Sequence, residues 1–332
     1  LAPEMEQLQA KIDKTFPGKV NRIINRSDDG DSVLIWSGSA EDPGSYYVFD
    51  RKAKRMNLFA SPYDALVGKT FSPVKAVRYT ARDGLSIPAY LTLPAGRPAK
   101  NLPLIVMPHG GPFIRSSYAF DPWAQFLASR GYAVLHPNFR GSTGYGRAFV
   151  ERGYGQWGAA MQDDLDDGLA WLASEGIADP KRVCMMGASY GGYAALWAAV
   201  RNPGLYRCAI SYAGVTDVRA MLKYDSKSMF ASRYSKLWRQ KVQGEERRDL
   251  AAISPLQQAK RFAIPVLIGH GELDSNVPVD QGKKLIAALA KQHVAVESVI
   301  YPKEGHGFER SEDARDFLKR TEAFLARHNP AD

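Results

Sequence analysis

Short apolar runs alternate along this chain with longer segments in which apolar residues recur every three or four positions. From residue 70 onward the pattern predicts strands at 74–80, 86–93 and 103–107, a helix at 119–130, a strand at 132–137 and a helix at 160–175. It continues with a strand at 182–186, a helix at 189–201, a strand at 207–212, a helical insertion, and a strand at 264–269. A helix at 279–292, a strand at 294–301 and a helix at 311–327 complete it. Alternating strand and helix implies an α/β architecture, with a mostly parallel sheet covered on both faces. Ligands in such sheets bind beyond the carboxyl ends of the strands.

The first 70 residues differ. After an N-terminal helix, Asp28-Asp29-Gly30-Asp31 is a turn, 32–37 and 45–50 are strands, Arg51-Lys52-Ala53-Lys54 is a turn, and 55–60 is a third strand. The expected division is 1–70, a helix and small β segment, and 71–332, the α/β domain.

Within the pattern, Gly187-Ala188-Ser189-Tyr190-Gly191 fits G-x-S-x-G between an apolar run and an Ala-rich helical stretch. A serine on a tight strand-to-helix turn is the nucleophile elbow of α/β-hydrolases. Glycine at 187 and 191 relieves crowding in a strained turn. A plain Gly-rich packing turn is the competing reading, and the strand–turn–helix context disfavours it.

A serine hydroxyl needs a base, and the base needs an orienting acid. In this fold they follow in the order serine, acid, histidine. The strand Pro265 to Gly269 leads into His270-Gly271-Glu272-Leu273-Asp274-Ser275-Asn276-Val277-Pro278. The next strand leads into Lys303-Glu304-Gly305-His306-Gly307-Phe308. Of the six histidines, His293 and His328 sit near helix ends and read as solvated surface, and His136 as a packed, satisfied core residue. His270 packs under the acid loop and His109 opens a glycine loop, which leaves His306 as the base. Asp274 competes with Glu272 and Asp217 for the acid, and the loop before Pro278 favours Asp274. Acyl transfer also needs oxyanion donors. The backbone N–H of Tyr190 is one, and Gly110 or Gly111, in His109-Gly110-Gly111-Pro112 after the strand Leu104 to Met107, supplies the other.

These motifs, with Asn138-Phe139-Arg140-Gly141-Ser142-Thr143-Gly144-Tyr145-Gly146, occur in an order that resembles the catalytic half of the prolyl oligopeptidase family. The likeness is greatest to its acylaminoacyl-peptidase and dipeptidyl-aminopeptidase-like members. The resemblance implies Ser189, Asp274 and His306 as a triad and Gly111 and Tyr190 as oxyanion donors. It also implies a specificity pocket at Val215, Met221 and Tyr224, with Phe113 beside the oxyanion loop. Family members carry a complete β-propeller before the hydrolase domain, which screens substrates by size. Here the β segment resembles one last blade, and one blade cannot close a propeller. The chain is therefore expected to be a fragment, a processed product or a shortened form, as a first residue Leu1 also suggests.

Composition sets the remaining bounds. The chain has 332 residues and is 45% apolar, ordinary for a soluble globular protein. No apolar run approaches the roughly 20 residues of a membrane span, and no signal peptide is visible. The compartment is expected to be cytoplasm or bacterial periplasm. Cys184 and Cys208 fall in two central strands, where they could lie near one another, and are expected to be buried free thiols, the commoner outcome. No Cys/His spacing suggests a metal, and no cofactor is expected. Of the net charge of +9, much lies between 219 and 248. That segment reads either as a solvated helical face or as a cationic insertion near the substrate. No nucleic-acid motif accompanies it, so neither nucleic acid nor membrane is an expected partner. The expected partners are a small peptide or ester substrate, and a second copy of the chain or the absent propeller part. The expected activity is serine peptidase, with carboxylesterase and a catalytically silent binding or assembly remnant as alternatives. The last is disfavoured because every catalytic position is filled.

Overall fold

The computed structural model describes residues 3–228 and 232–331. Leu8 and Ile12, one turn apart on α1 (Pro3–Thr15), face a small antiparallel sheet of order β1-β2-β3-β4. Its strands are β1 (Val20–Arg26), β2 (Ser32–Ser39), β3 (Asp42–Asp50) and β4 (Arg55–Ala60). Val33 and Ile35 complete the buried cluster on that face. Only β2–β4 are anticipated by the sequence pattern. The extra strand escapes notice because its buried position is polar: Asn21 is sheltered by hydrogen bonds from its amide to Asp13 Oδ1 and Phe16 O.

The second sheet has eight strands. They are β5 (Val74–Thr80), β6 (Ser86–Thr92), β7 (Leu102–Val106), β8 (Ala133–Pro137), β9 (Ala178–Ala188), β10 (Cys208–Tyr212), β11 (Val266–Gly271) and β12 (Val296–Tyr301). Their order is β12-β11-β10-β9-β7-β8-β6-β5. The run from β12 to β8 is parallel, and β6 and β5 add antiparallel to it.

Strand residues point alternately to the two faces, and here both faces are apolar. Leu104, Val106, Val183, Met185, Ala209, Val266 and Ile268 pack beneath α4 (Ala160–Ser174), α5 (Tyr190–Arg201) and α8 (Asp280–Lys291). Ile105, Met107, Cys184, Met186, Ile210 and Leu267 pack against α2 (Pro122–Ser129) and α9 (Ser311–His328). Each buried Val, Leu, Ile or Met among them contributes about 1.5–3 kcal/mol, so the sheet is held from two sides. The expected α/β-hydrolase arrangement is present, with differences of detail. Helix α2 starts at Pro122 because Asp121 caps it, its carboxylate accepting the Ala124 N–H at 2.9 Å. A short α3 (Arg147–Glu151) precedes α4, and the helical insertion is two helices, α6 (Val218–Ser228) and α7 (Ser232–Gln243).

Cys184 and Cys208 correct an expectation. They lie opposite one another on β9 and β10, Cα atoms 4.8 Å apart, and form a disulfide rather than two free thiols. In-register neighbours turn their side chains to the same face, which the one-dimensional pattern does not reveal.

Candidate active site

Ser189 stands between β9 and α5 with φ 58° and ψ −120°, a left-handed backbone that a non-glycine residue adopts only under constraint. Its N–H donates to Tyr212 O at 3.0 Å. The flanking glycines make the turn possible. A Cβ at Gly187 would lie 2.5 Å from the Gly191 backbone, and one at Gly191 would lie 2.2 Å from Pro108 O. The second contact presses the first turn of α5 against the end of β7, which brings the His109–Gly111 loop to the serine. A Cβ built on Gly110 would be 3.9 Å from Ser189 Oγ. Tyr190 opens α5, so its N–H belongs to the unpaired first turn, at the positive end of the helix.

Asp274 and His306 follow β11 and β12. His306 Nδ1 is 2.8 Å from Asp274 Oδ2. The other oxygen, Oδ1, accepts the N–H groups of Asn276 and Val277 at 2.9 and 2.8 Å. Burial acts to raise the Asp274 pKa, but the donors from His270, His306 and Val277 outweigh it and hold the carboxyl below its ordinary range. Neither rival acid touches the histidine. Glu272 pairs with Lys283 at 2.6 Å, and Asp217 accepts the Ala220 N–H at 2.9 Å at the start of α6.

The loop that carries His306 is tied down by Glu304 and Phe308, to which the sequence pattern assigns no role. The fully buried Glu304 carboxylate accepts the N–H groups of Glu309 and Arg310 at 2.7 and 3.0 Å, and its carbonyl accepts the Leu273 N–H of the acid loop at 2.9 Å. Phe308 lies on Tyr212 with ring centroids 4.3 Å apart. Tyr212 thus supports both sides of the site, the elbow through its carbonyl and the base loop through its ring. A lone glutamate beside Gly305-His306-Gly307 is the only linear clue to the first of these contacts.

At the glycine loop, His109 Nδ1 is 2.7 Å from Gly110 O and Nε2 is 2.8 Å from Ser142 Oγ. A carbonyl can only accept, so Nδ1 carries the hydrogen. In a trans peptide, C=O and N–H point in opposite directions. By holding Gly110 O, His109 therefore sets the direction of the Gly111 N–H. Burial pushes the imidazole down to about 4, so it is neutral at physiological pH.

An aromatic wall continues from this loop. The Phe113 ring meets Tyr154 and Trp238 edge-on at 5.4 and 6.0 Å, and Trp157 meets Tyr190 at 4.7 Å. Lys241 of α7 places its ammonium 5.5 Å from the Phe113 ring centroid and 5.2 Å from that of Tyr154. Arg248 turns inward to Gly155 O at 2.7 Å, while Arg233, Lys236 and Arg239 are exposed. Val215 and Met221 are buried in the core, and Tyr224 donates its hydroxyl to Ser275 O at 2.7 Å on the acid loop. Among the other histidines, His293 is exposed and the ring of His328 packs on Phe324 at 4.7 Å. His136 is buried as expected, but its Nε2 has no hydrogen-bond partner among the described residues, so it is not satisfied as expected. No cluster of three or more His, Cys, Asp or Glu side chains suited to a metal occurs among the described residues.

The arrangement supplies a half-buried serine on a strained turn, an imidazole 2.8 Å from a charged carboxylate, and a glycine loop beside the serine, the kinds of group that acyl transfer uses. Residues 118–330 match the model of the prolyl oligopeptidase family. The dipeptidyl aminopeptidase BIII of Pseudoxanthomonas mexicana is 36% identical over 95% of this chain and 47% of its own length. The acylamino-acid-releasing enzyme of Mus musculus is 30% identical over 74% of this chain and 34% of its own. Among solved structures, a puromycin-hydrolysing peptidase of Mycobacterium tuberculosis superposes with a TM-score of 0.77 at 28% identity, covering 91% of this chain and 46% of that one. An acylaminoacyl peptidase in complex with Z-Gly-Gly-Phe-chloromethyl ketone gives 0.76 at 25% identity, covering 94% and 50%. The chain thus spans about half the length of these relatives or less.

Proposed function

The chain belongs to the prolyl oligopeptidase family, and on that footing we propose that it hydrolyses short peptides at aminoacyl, acyl-aminoacyl or dipeptidyl bonds through a covalent acyl-enzyme. Ser189 Oγ is the nucleophile. His306 Nε2 takes its proton and returns it to the leaving amine, then repeats the exchange with water. Asp274 keeps the hydrogen on His306 Nδ1 and stabilises the imidazolium. The Tyr190 and Gly111 N–H groups receive the oxyanion, each worth about 3–4 kcal/mol in the transition state. The observation that carries this reading is the 2.8 Å Asp274–His306 contact on strand-end loops of the sheet edge that presents Ser189.

Phe113, Tyr154 and Trp238 are the wall offered to the residue before the cut bond, with Tyr224 bracing the acid loop from α6. Val215 and Met221 would act from behind, by shaping that wall. Lys241 is the insertion's cation at the pocket. The four-stranded sheet leaves Leu58 and Phe59 of its edge strand β4 exposed, a surface suited to the rest of a propeller or to a second copy. No helix among the described residues is long and apolar enough to cross a membrane. Of the two expected compartments, the Cys184–Cys208 disulfide favours an oxidising one such as the bacterial periplasm. The test is a panel of chromogenic aminoacyl, acyl-aminoacyl, dipeptidyl and short-chain ester substrates, run beside Ser189→Ala. Cleavage of peptide amides supports the peptidase reading, and turnover confined to esters replaces it with carboxylesterase.

A further inference from the structure

The acid loop contains a second histidine that the mechanism above leaves unused. We propose that His270 is a positioning residue for the acid–base pair, holding the Asp274 loop from behind and sharing the carboxylate oxygen that His306 uses. This rests on Asp274 and His306 being the acid and the base.

His270 lies in β11 and is fully buried. Its Nε2 is 2.8 Å from Val277 O and 3.3 Å from Asp274 Oδ2. Both neighbours are acceptors, so Nε2 carries the hydrogen, directed chiefly at Val277 O with the carboxylate beside it. Nδ1 has no hydrogen-bond partner among the described residues. It faces α8 at Gly282, where a Cβ would lie 2.8 Å away. The ring is thus wedged between helix and loop, with a single nitrogen making its polar contacts. An unpaired buried nitrogen is destabilising, and an apolar side chain would fill such a slot without that cost. An imidazole kept there points to a function for its one N–H.

That function follows from what the N–H meets. Asp274 Oδ1 is occupied by the N–H groups of Asn276 and Val277, and Oδ2 receives His306 Nδ1 at 2.8 Å. Val277 is therefore clamped from both ends, its N–H by the carboxylate and its carbonyl by His270, which locks the 274–277 turn. On Oδ2 the two imidazoles flank one oxygen. The His270 N–H and the His306 N–H thus compete for the negative charge of that one oxygen. Among the described residues, charged and titratable groups on the neighbouring elements include Glu304, Arg310 and Asp313 on the base loop and the start of α9, Tyr212 on β10, and the Glu272–Lys283 pair between the acid loop and α8. None of them is altered by the substitutions below.

The experiment compares His270→Leu and His270→Gln in the whole chain, with kcat and kcat/KM measured across the pH range on one cleaved substrate. Loss of the donor in His270→Leu should move the acid limb of kcat/KM to higher pH by about half a unit. It should also lower the plateau kcat roughly three- to tenfold with little change in KM. His270→Gln, whose amide nitrogen can occupy the place of Nε2, should return the limb to its original position. If the Leu variant does not fold, His270→Asn, polar but too short to reach Val277 O, takes its place. A folded Leu or Asn variant whose limb stays put or moves to lower pH overturns the proposal, as does a Gln variant that behaves like Leu. Asp274→Asn is run in parallel. Undiminished activity there would overturn the acid assignment itself, an outcome distinct from a failure of His270 alone.

Discussion

His306 Nδ1 and Asp274 Oδ2 lie 2.8 Å apart, while the opposite carboxylate oxygen is saturated by backbone N–H groups. The carboxylate can neither rotate away nor take up a proton easily, so the hydrogen stays on His306 Nδ1 and Nε2 is left to act as base. Asp274→Asn should therefore lower kcat by about four orders of magnitude through the wrong tautomer, and His306→Ala should be as severe. Glu272→Gln should change kcat by only a few-fold, because its exposed pair with Lys283 contributes little. Steady-state kinetics on the three variants decide the matter, and a crippling Glu272→Gln beside a mild Asp274→Asn would reverse the assignment.

Ser189 is held on a strained turn, its N–H tied to Tyr212 O and its side chain beside the Gly110 loop. One equivalent of an organophosphonate should add to it, visible as a single mass increment that Ser189→Ala abolishes. Labelling of a different residue, or none in folded protein, would sink the enzyme reading.

His109 aims a peptide plane. His109→Asn keeps a donor near the position of Nδ1, whereas His109→Phe keeps the ring that stacks on Phe139 at 4.4 Å but offers no donor. The Phe variant should lose roughly ten- to hundredfold in kcat with KM nearly unchanged, since the oxyanion exists only in the transition state. The Asn variant should retain most of the activity. Equal losses in both would show that the ring, rather than the N–H, is what matters.

The Phe113–Tyr154–Trp238 wall should favour an apolar or aromatic residue before the cut bond by about ten- to a hundredfold, the value of burying one such side chain. Lys241 should add a preference for substrates carrying a free carboxylate, weaker at high salt and lost in Lys241→Met. Comparing kcat/KM for apolar and charged substrates at two salt concentrations checks both parts. A preference for Lys or Arg at that position would refute the pocket, and a flat salt profile would remove the role of Lys241.

Burial lowers His109 from an ordinary 6.5 to about 4. Between those values the unfolded chain binds the extra proton and the folded one does not, so stability rises with pH across the window and is lost as pH falls through it. The loss amounts to about 3 kcal/mol once pH reaches the lower value. Asp166, which burial pushes up to about 6, acts in the opposite sense, its contribution declining as pH rises toward that value. His109→Asn should flatten the fall in Tm between neutral and mildly acid pH, measured by thermal melts at each pH. An equally steep fall in the variant would remove His109 as its source.

Much of this site is legible in one dimension because its chemistry follows strand ends. Ser189, Asp274 and His306 each sit where an apolar run stops, and glycines mark the turns that need them. What escapes is what depends on lateral neighbours. Cys184 and Cys208 become partners only when β9 and β10 align in register. Glu304 gains its role only once its loop folds over the carboxylate, and Asn21 disguises β1 by being polar at a buried position. Trp238 reaches Phe113 only through the way α7 folds back onto the domain, which helical periodicity does not specify.

The strand order has a kinetic consequence. Loops that meet at the catalytic edge come from β7, β9, β11 and β12, strands that pair in parallel through long crossovers rather than tight hairpins. Such non-local pairings are entropically slow to close and form late. The acid and base come together on the neighbouring strands β11 and β12, but the nucleophile joins them only across β10, from β9, and the base arrives with the edge strand β12. Recovered turnover after dilution from denaturant therefore reports the last stage of refolding, and should lag behind the return of helical circular dichroism.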